Sequence, residues 1–537
     1  MPVGRRYLFN GVSDPRAASR WPERILLDRL ERNPGDMVYS HAVMNALDAD
    51  GSTEFRMTGY YYRTDPFSDA EIGEIDETCS AFVCPLADMF SKEWIRLVRL
   101  LTDLIRRLRI PCVVPCVGGR DLDGAGGTDD IGGDVSAFVR AVLDKSAVLG
   151  VRGASMARLL RRLGFEEGRH FIVLGCPTLF AYGPGLPPMP APGGIRFDRC
   201  AVTLNHRADP AQWRLVDRCG ALFGRADLVS QWFREPFHFL LTNRVWSRDF
   251  FAERPGFAET VARYADRGRM RFFLNRRPWA EFLSTRDFTV GNRIHGSLLS
   301  ILSGTPAAVV PFESRTEELA EFHGIPILRP VEGESDEALR DRIGSLDFSE
   351  LVRRQREQFE TYHSFFRRNG LETVFDRGIP DRSAFPLERR MPVVFPDDAM
   401  PPWSLHSPSE RASALAAQEI MRVRKEAAAR PGGLSSDPPR RAECEDLVAS
   451  LDRDEPLESI FSLGMAHGRR LGRAAAEKAA AARVEKAEKN AERTAMRLRA
   501  AEDRLAAIQS SLSWRATAPV RLLGGVFGRK PAIPDEP

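Results

Sequence analysis

The feature that most constrains this fold is an alternation of short apolar runs with longer amphipathic stretches, repeated across the first two thirds of the chain. YLFN, SAFVCPLA, PCVVPCVGG, AVLGVRG and FIVLGCPTLF read as strands. MVYSHAVMNAL, WIRLVRLLTDLIRRLR and SMARLLRRLGF, the last stopped by Gly164, read as helices between them. Such βα alternation predicts a parallel sheet covered by helices. The run GPGLPPMPAPGGI breaks the pattern, because clustered Pro and Gly cannot continue regular structure. Beyond it the alternation resumes, through CAVTLN, QWRLVDRCGALFG, DLVSQW, FAETVARYAD, MRFFLN, RDFTVGNR, SLLSILSG, PAAVVPF, ELAEFHG and IPILRP. LDFSELVRRQREQFETYHSFFRRNGLETVF then reads as one long closing helix.

The fold class is therefore α/β, with two α/β units over 1–185 and 186–381, the second including the closing helix. A Pro- and Ala-rich linker follows over 382–467, then a helix or coiled coil over 468–512 and a basic amphipathic tail over 513–537. In the helical stretch, Val484, Ala487, Ala491, Thr494, Leu498, Ala501, Leu505, Ile508 and Leu512 keep three-four spacing. That seam suits a homo-oligomer, and a single solvated helix is the other reading. In the tail, Trp514, Val520, Leu522, Leu523 and Phe527 among arginines suit peripheral contact with an anionic membrane surface.

Charge and cysteine usage exclude several classes. Lys and Arg number 77 against 74 Asp and Glu, a net charge of +3 over 537 residues. That is no footprint for nucleic acid. The eight cysteines are dispersed in apolar surroundings and form no C-x-x-C pair, so they read as buried thiols of a reducing compartment. No apolar segment is long enough to span a bilayer, and the N-terminal residues lack a signal-peptide core. A cytoplasmic location, at the inner face of the membrane, is expected. No metal cluster is expected either: the aspartates of GGRDLDGAGGTDD, Asp121, Asp123, Asp129 and Asp130, do not follow a calcium-loop pattern. His206 and His238 have no metal-ligand spacing and read as structural.

Two strand-to-helix turns carry the chemistry. One is Gly291-Asn292-Arg293-Ile294-His295-Gly296. Ligands of open α/β sheets bind outside the carboxyl ends of strands, where helix N-termini offer free N–H groups to anions. Arg293 adds a planar fork for phosphate or carboxylate, and His295 a group able to exchange a proton near neutral pH. The competing reading makes Arg293 a sheet cap and His295 a satisfied structural histidine. The other turn is Val151-Arg152-Gly153-Ala154-Ser155, with Ser155 placed to cap the next helix. An arginine at a helix N-terminus is unfavourable unless an anion is present. A third element, Asn33-Pro34-Gly35-Asp36, places Asp36 as a helix cap.

Taken together, VRGASMARLLRRLGF, the Gly175-Cys176-Pro177-Thr178 run and DFTVGNRIHGSLLSILSGTPAAVVPF resemble the polysaccharide pyruvyl transferase family. Asn33-x-Gly35-Asp36 looks like that family's N-x-G-D element, and Ser314-Arg315 falls where the family carries a charged residue after a strand. The resemblance spans about Tyr7 to Asp376. It implies two Rossmann-like domains in a GT-B-like arrangement. It also implies transfer of the pyruvyl skeleton from phosphoenolpyruvate, with no cofactor, onto two hydroxyls of a bacterial surface or exopolysaccharide sugar, as a ketal. Arg152, Arg293 and His295 carry over as catalytic residues; Ser155, Asn33, Gly35, Asp36 and Asn292 carry over as substrate-binding ones. Where the family often has Asp after the first arginine, this chain has Gly153. Ser513-Trp514-Arg515-Ala516-Thr517-Ala518-Pro519-Val520-Arg521 is similar to an element that follows coiled coils in bacterial surface-polysaccharide glycosyltransferases. The acceptor implied is a glycan or lipid-linked oligosaccharide. Two other functions suit the same features: a nucleotide-sugar glycosyltransferase of GT-B type, and a non-catalytic scaffold of glycan assembly.

Overall fold

The computed structural model describes residues 5–391, except 12–13, 15, 17–32, 60–65, 121–130, 232–254, 274 and 380. The expected coiled coil, the basic tail, Cys444, His238 and the acidic glycine-rich loop lie outside the described residues.

The first half builds a parallel sheet of β1 (Arg6–Phe9), β2 (Glu54–Met57), β3 (Ala81–Val83) and β4 (Cys112–Val113), in the order β2-β1-β3-β4. Next to β4 run β5 (Leu149–Val151) and β6 (Phe171–Val173), a parallel pair. Gly150 N donates to Val114 O at 2.9 Å and Arg152 N to Val117 O at 3.0 Å, which joins that pair to the same layer. Its helices are α1 (Pro34–Leu47), α2 (Asp69–Thr78), α3 (Ile95–Arg107), α4 (Gly132–Leu143) and α5 (Ala154–Arg162).

Helix α3 shows why the sequence takes this form. Leu97, Val98, Leu101, Leu104 and Ile105 recur at three-four spacing and are all buried, while Arg106 and Arg107 close the last turn, where cations complement the helix dipole. Each of those aliphatic side chains contributes about 1.5–3 kcal/mol on burial. Val98, Leu101 and Leu104 share one core with Leu8 and Phe82 of the strands.

The second sheet is β7 (Arg199–Thr203), β8 (Arg225–Val229), β9 (Met270–Arg271), β10 (Phe288–Gly291) and β11 (Ala307–Val309), all parallel, in the order β11-β10-β7-β8-β9. With it come α6 (Pro210–Ala221), α7 (Pro255–Asp266), α8 (Arg276–Ser284), α9 (Ile294–Leu302), α10 (Ser314–His323) and α11 (Asp336–Gly344). After them follow α12 (Ser349–Arg368) and α13 (Pro386–Arg390). The α/β class and the parallel sheets are as the sequence led us to expect.

Helix α12 leaves the second sheet and packs on the first: Phe359, Tyr362, Phe365 and Phe366 bury against Tyr7, Phe9, Val43 and Leu47. Gln355 Nε2 also donates to Leu179 O at 2.8 Å. One core runs through both halves, since Tyr39, Cys116 and Cys176 pack in the same cluster as Val202, Leu298 and Val309.

Several local expectations need correction. The FIVLGCPTLF strand ends at Val173, and Pro177–Phe180 is a 3₁₀ turn begun by a proline that has no N–H to give a ladder. The closing helix ends at Arg368 rather than reaching Phe375, because Asn369 caps it and its Oδ1 is drawn away to Ala147 N at 2.9 Å. Strand order reverses between β1 and β3 in the first sheet and between β7 and β10 in the second. These switch points open crevices at the carboxyl ends of the strands.

Candidate functional site

The start of α9 follows β10 at one of those switch points, and the Arg152 turn, at the end of β5, meets it there. Arg152 follows β5, and its guanidinium is buried at 2% exposure. Its Nη1 lies 3.4 Å from His295 Nε2, at the start of α9. Its guanidinium carbon stands 4.6 Å over the Tyr39 ring, and that ring lies 5.5 Å from the imidazole of His295. Arg152, Tyr39 and His295 thus form one stack contributed by three different elements. Its Nη2 lies 3.9 Å from the Cys116 thiol, and the buried Nε has no hydrogen-bond partner.

Gly35 is required by this stack. A Cβ there would sit 2.5 Å from His295 Nδ1. Asn33 caps α1, its side chain accepting from Gly35 N at 3.0 Å, with Pro34 in the first turn. Asp36 is therefore not the cap, and its carboxyl is left to face the cleft charges. Burial pushes it up, Asp88 adds to the rise, and Arg152 and Arg315 oppose it; the carboxyl ends at about 7.

The ring of His295 goes the other way. Burial, then Arg152 and Arg315, hold it well below the ordinary histidine value. It is a neutral imidazole at physiological pH, not the near-neutral titrating group expected of it. A guanidinium only donates, so Nε2 accepts from Arg152 and the ring proton rests on Nδ1.

Ser155 corrects a second expectation. Gly153 is the N-cap of α5 and offers no side chain. Ser155 instead holds Glu318 of α10: its N lies 3.1 and 3.2 Å from the two carboxylate oxygens, and its Oγ donates at 2.8 Å. The anion called for by an arginine-bearing helix start is thus, at α5, the protein's own carboxylate. Arg158 reaches the same group at 3.3 Å.

Asn292 is fully buried, and its Nδ2 donates to Val310 O at 2.8 Å, tying β10 to β11. Arg293 is the N-cap residue of α9, with extended backbone and no side-chain capping bond.

Sequence reading missed a charged cluster beside this stack. Arg315 pairs with Glu313 and lies 3.2 Å from Asp88, which Arg120 also binds. Burial would raise Asp88, but Arg315 and Arg120 outweigh it and hold the carboxylate at about 2. Asp88 follows β3, Arg120 follows β4 and Arg315 follows β11, so all extend from carboxyl ends of strands. Only the position of Arg315 carried a sequence signal.

His323 is structural: Cys176 N donates to its Nε2 at 2.9 Å, and its Nδ1 meets Gln358 Oε1 at 2.8 Å. Among the described residues no group of three His, Cys, Asp or Glu is placed to hold a metal ion, and no helix is long and apolar enough to cross a membrane.

Solved structures similar to this chain share little sequence with it. HepE of Anabaena, in complex with UDP, is 11% identical at a TM-score of 0.34, covering 68% of this chain and 97% of its own. A UDP-GlcNAc 2-epimerase of Methanocaldococcus jannaschii is 8% identical at 0.34, with coverage of 67% and 99%. The calicheamicin glycosyltransferase CalG4 is 14% identical at 0.29, with coverage of 70% and 100%. No curated protein matches the sequence. The family model described as polysaccharide pyruvyl transferase matches residues 124–314, a stretch that contains Arg152, Ser155, Asn292, Arg293 and His295 but ends before Arg315 and begins after Asp36. That match takes in both arginine-bearing turns, and over it this chain is similar to the polysaccharide pyruvyl transferase family.

Proposed function

We propose that the cleft transfers the pyruvyl group of phosphoenolpyruvate onto two hydroxyls of a sugar in a bacterial surface or exopolysaccharide, or its lipid-linked precursor. The observation that carries this reading is the meeting of Arg152 with His295 beside Arg315 and a carboxyl, Asp36, raised to about 7. Phosphoenolpyruvate brings a carboxylate and a phosphoryl group, and guanidinium forks bind such groups through paired hydrogen bonds. No cofactor takes part.

Asp36 is the group whose value matches proton delivery near neutral pH. Protonated, it gives its proton to the methylene carbon of the donor, and C2 becomes electrophilic. As the Arg152 guanidinium turns to the donor's carboxylate, the freed Nε2 of neutral His295 accepts the proton of the attacking sugar hydroxyl, and the donor's negative charge makes that acceptance easier. Phosphate then leaves, its growing charge met by the arginines. The second hydroxyl closes on C2 as its proton passes to the Asp36 carboxylate, His295 gives the first hydroxyl's proton to the departing phosphate, and the ketal forms. One donor and one diol give one ketal and one phosphate, with the methylene converted to a methyl group.

Incubation of the protein with phosphoenolpyruvate labelled with carbon-13 at C2 and a lipid-linked oligosaccharide extract tests the reading. A ketal carbon signal appearing with stoichiometric phosphate supports it. Transfer from a nucleotide sugar, with phosphoenolpyruvate inert, would replace it with a glycosyltransferase.

A further inference from the structure

The two arginine-bearing turns are not equivalent. At α5 the helix N-terminus is already filled by the Glu318 carboxylate, held by Ser155 N and Oγ. At α9 no side chain caps the first turn. Gln231 packs its Nε2 against Gly296 of that turn, Thr203 lies between Gly296 and Gly291, and Ser297 is the next residue of the helix; each is buried, and Gln231 Nε2, Thr203 Oγ1 and Ser297 Oγ lack a hydrogen-bond partner.

Gly296 lets them close in. A Cβ at that position would lie 2.6 Å from Gln231 Nε2 and 2.9 Å from Thr203 Cγ2. The backbone of β10 brings Gly291 into register with Thr203, so β7, β8 and α9 meet at one point beside the crevice between β7 and β10.

We propose that Gln231, Thr203 and Ser297, with the first turn of α9, form the seat of the donor's phosphoryl group. The inference rests on the pyruvyl-transfer reading and assigns one end of its donor. Buried donors without acceptors call for a ligand rich in acceptor oxygens. One amide and two hydroxyls match the several oxygens of a tetrahedral group, whereas a planar carboxylate matches the guanidinium fork of Arg152. The helix dipole favours the more negative of the donor's two ends here, which is the phosphoryl group. Departing phosphate would remain in the same seat until release, so free phosphate competes for it.

Calorimetric titration of the full chain with inorganic phosphate and, separately, phosphoenolpyruvate tests this. Gln231→Met keeps the side-chain volume and removes the N–H donors; Ser297→Ala removes a hydroxyl without adding bulk. Each is expected to weaken both ligands about tenfold, the scale of one lost hydrogen bond to a charged group. Wild-type affinity for both ligands in Gln231→Met and Ser297→Ala overturns the seat and leaves pyruvyl transfer standing. Phosphate binding that needs Gln231, in a protein that never consumes phosphoenolpyruvate, upholds the seat and overturns the donor assignment. Should Gln231→Met fail to fold, Ser297→Ala decides alone.

Discussion

Arg152 Nη1 stands 3.4 Å from His295 Nε2, across 143 residues of sequence, and this contact fixes the tautomer and the charge of the imidazole. Burial and the neighbouring guanidinium keep the ring neutral, with its proton on Nδ1. His295→Ala is expected to fold normally and lose on the order of 10²–10⁴ in rate, the range of a missing acid or base. His295→Gln keeps size and polarity but accepts no proton, so it should be equally inactive. Full activity in the Gln variant would make the histidine a packing element.

Asp36 sets the pH dependence. Its folded value of about 7 lies above the unfolded carboxyl near 3.8, so the folded state holds a proton that the unfolded state has released. The contribution of this group to stability is therefore full below the unfolded value and is lost as pH rises through about 7. The rate should follow the same protonated form, with kcat/KM falling on the alkaline side of about 7. Asp36→Asn should flatten the stability profile over that window and remove the reaction. An alkaline limb that survives in Asp36→Asn would assign it to another group.

Gly35 tests the packing of the stack. Gly35→Ala puts a methyl 2.5 Å from His295 Nδ1, and the ring must move. Displacement of a reacting group by about an ångström costs roughly a hundredfold in rate. The loss should fall on kcat, with thermal stability lowered by only about 1–3 kcal/mol, as in other overpacked sites. Unchanged kcat in this variant would show that the ring position is not critical.

Glu318 links two elements from opposite halves of the sequence, α5 and α10, through Ser155. Glu318→Ala leaves the Ser155 N–H and the Ser155 hydroxyl without their acceptor. A loss of about 1.5–3 kcal/mol in unfolding free energy is expected, the scale of a hydrogen bond to a charged group. Glu318→Gln should recover part of it. Wild-type stability in Glu318→Ala, read from urea unfolding, would show that water replaces the carboxylate without loss.

How far the sequence reaches can be judged residue by residue. Arg152, Arg293 and His295 stand out because a strand–turn–helix pattern places them locally, and local pattern is what periodicity reports. The helix α3 was legible for the same reason. Capping was misjudged at Ser155 and Asp36, since the choice of cap depends on one residue of backbone and on Glu318, distant in sequence. Asp88, Arg120 and Gln231 gave no signal at all: nothing in their neighbouring residues shows that separate strand ends bring them beside the cleft. The α2 helix, DAEIGEIDET, was overlooked because only Ile72 and Ile75 are buried, and its start rests on the Ser68–Glu71 capping box instead.

The central claim is that the cleft binds phosphoenolpyruvate through guanidinium forks. Equilibrium titration of the full chain with phosphoenolpyruvate, comparing wild type with Arg152→Lys and Arg293→Lys, tests it most directly. Lysine keeps the charge but cannot grip two oxygens at once. We expect saturable binding by the wild type and a loss of roughly ten- to a hundredfold in each lysine variant. Equal affinity in all three proteins, or binding of nucleotide sugars with none of phosphoenolpyruvate, would contradict the account.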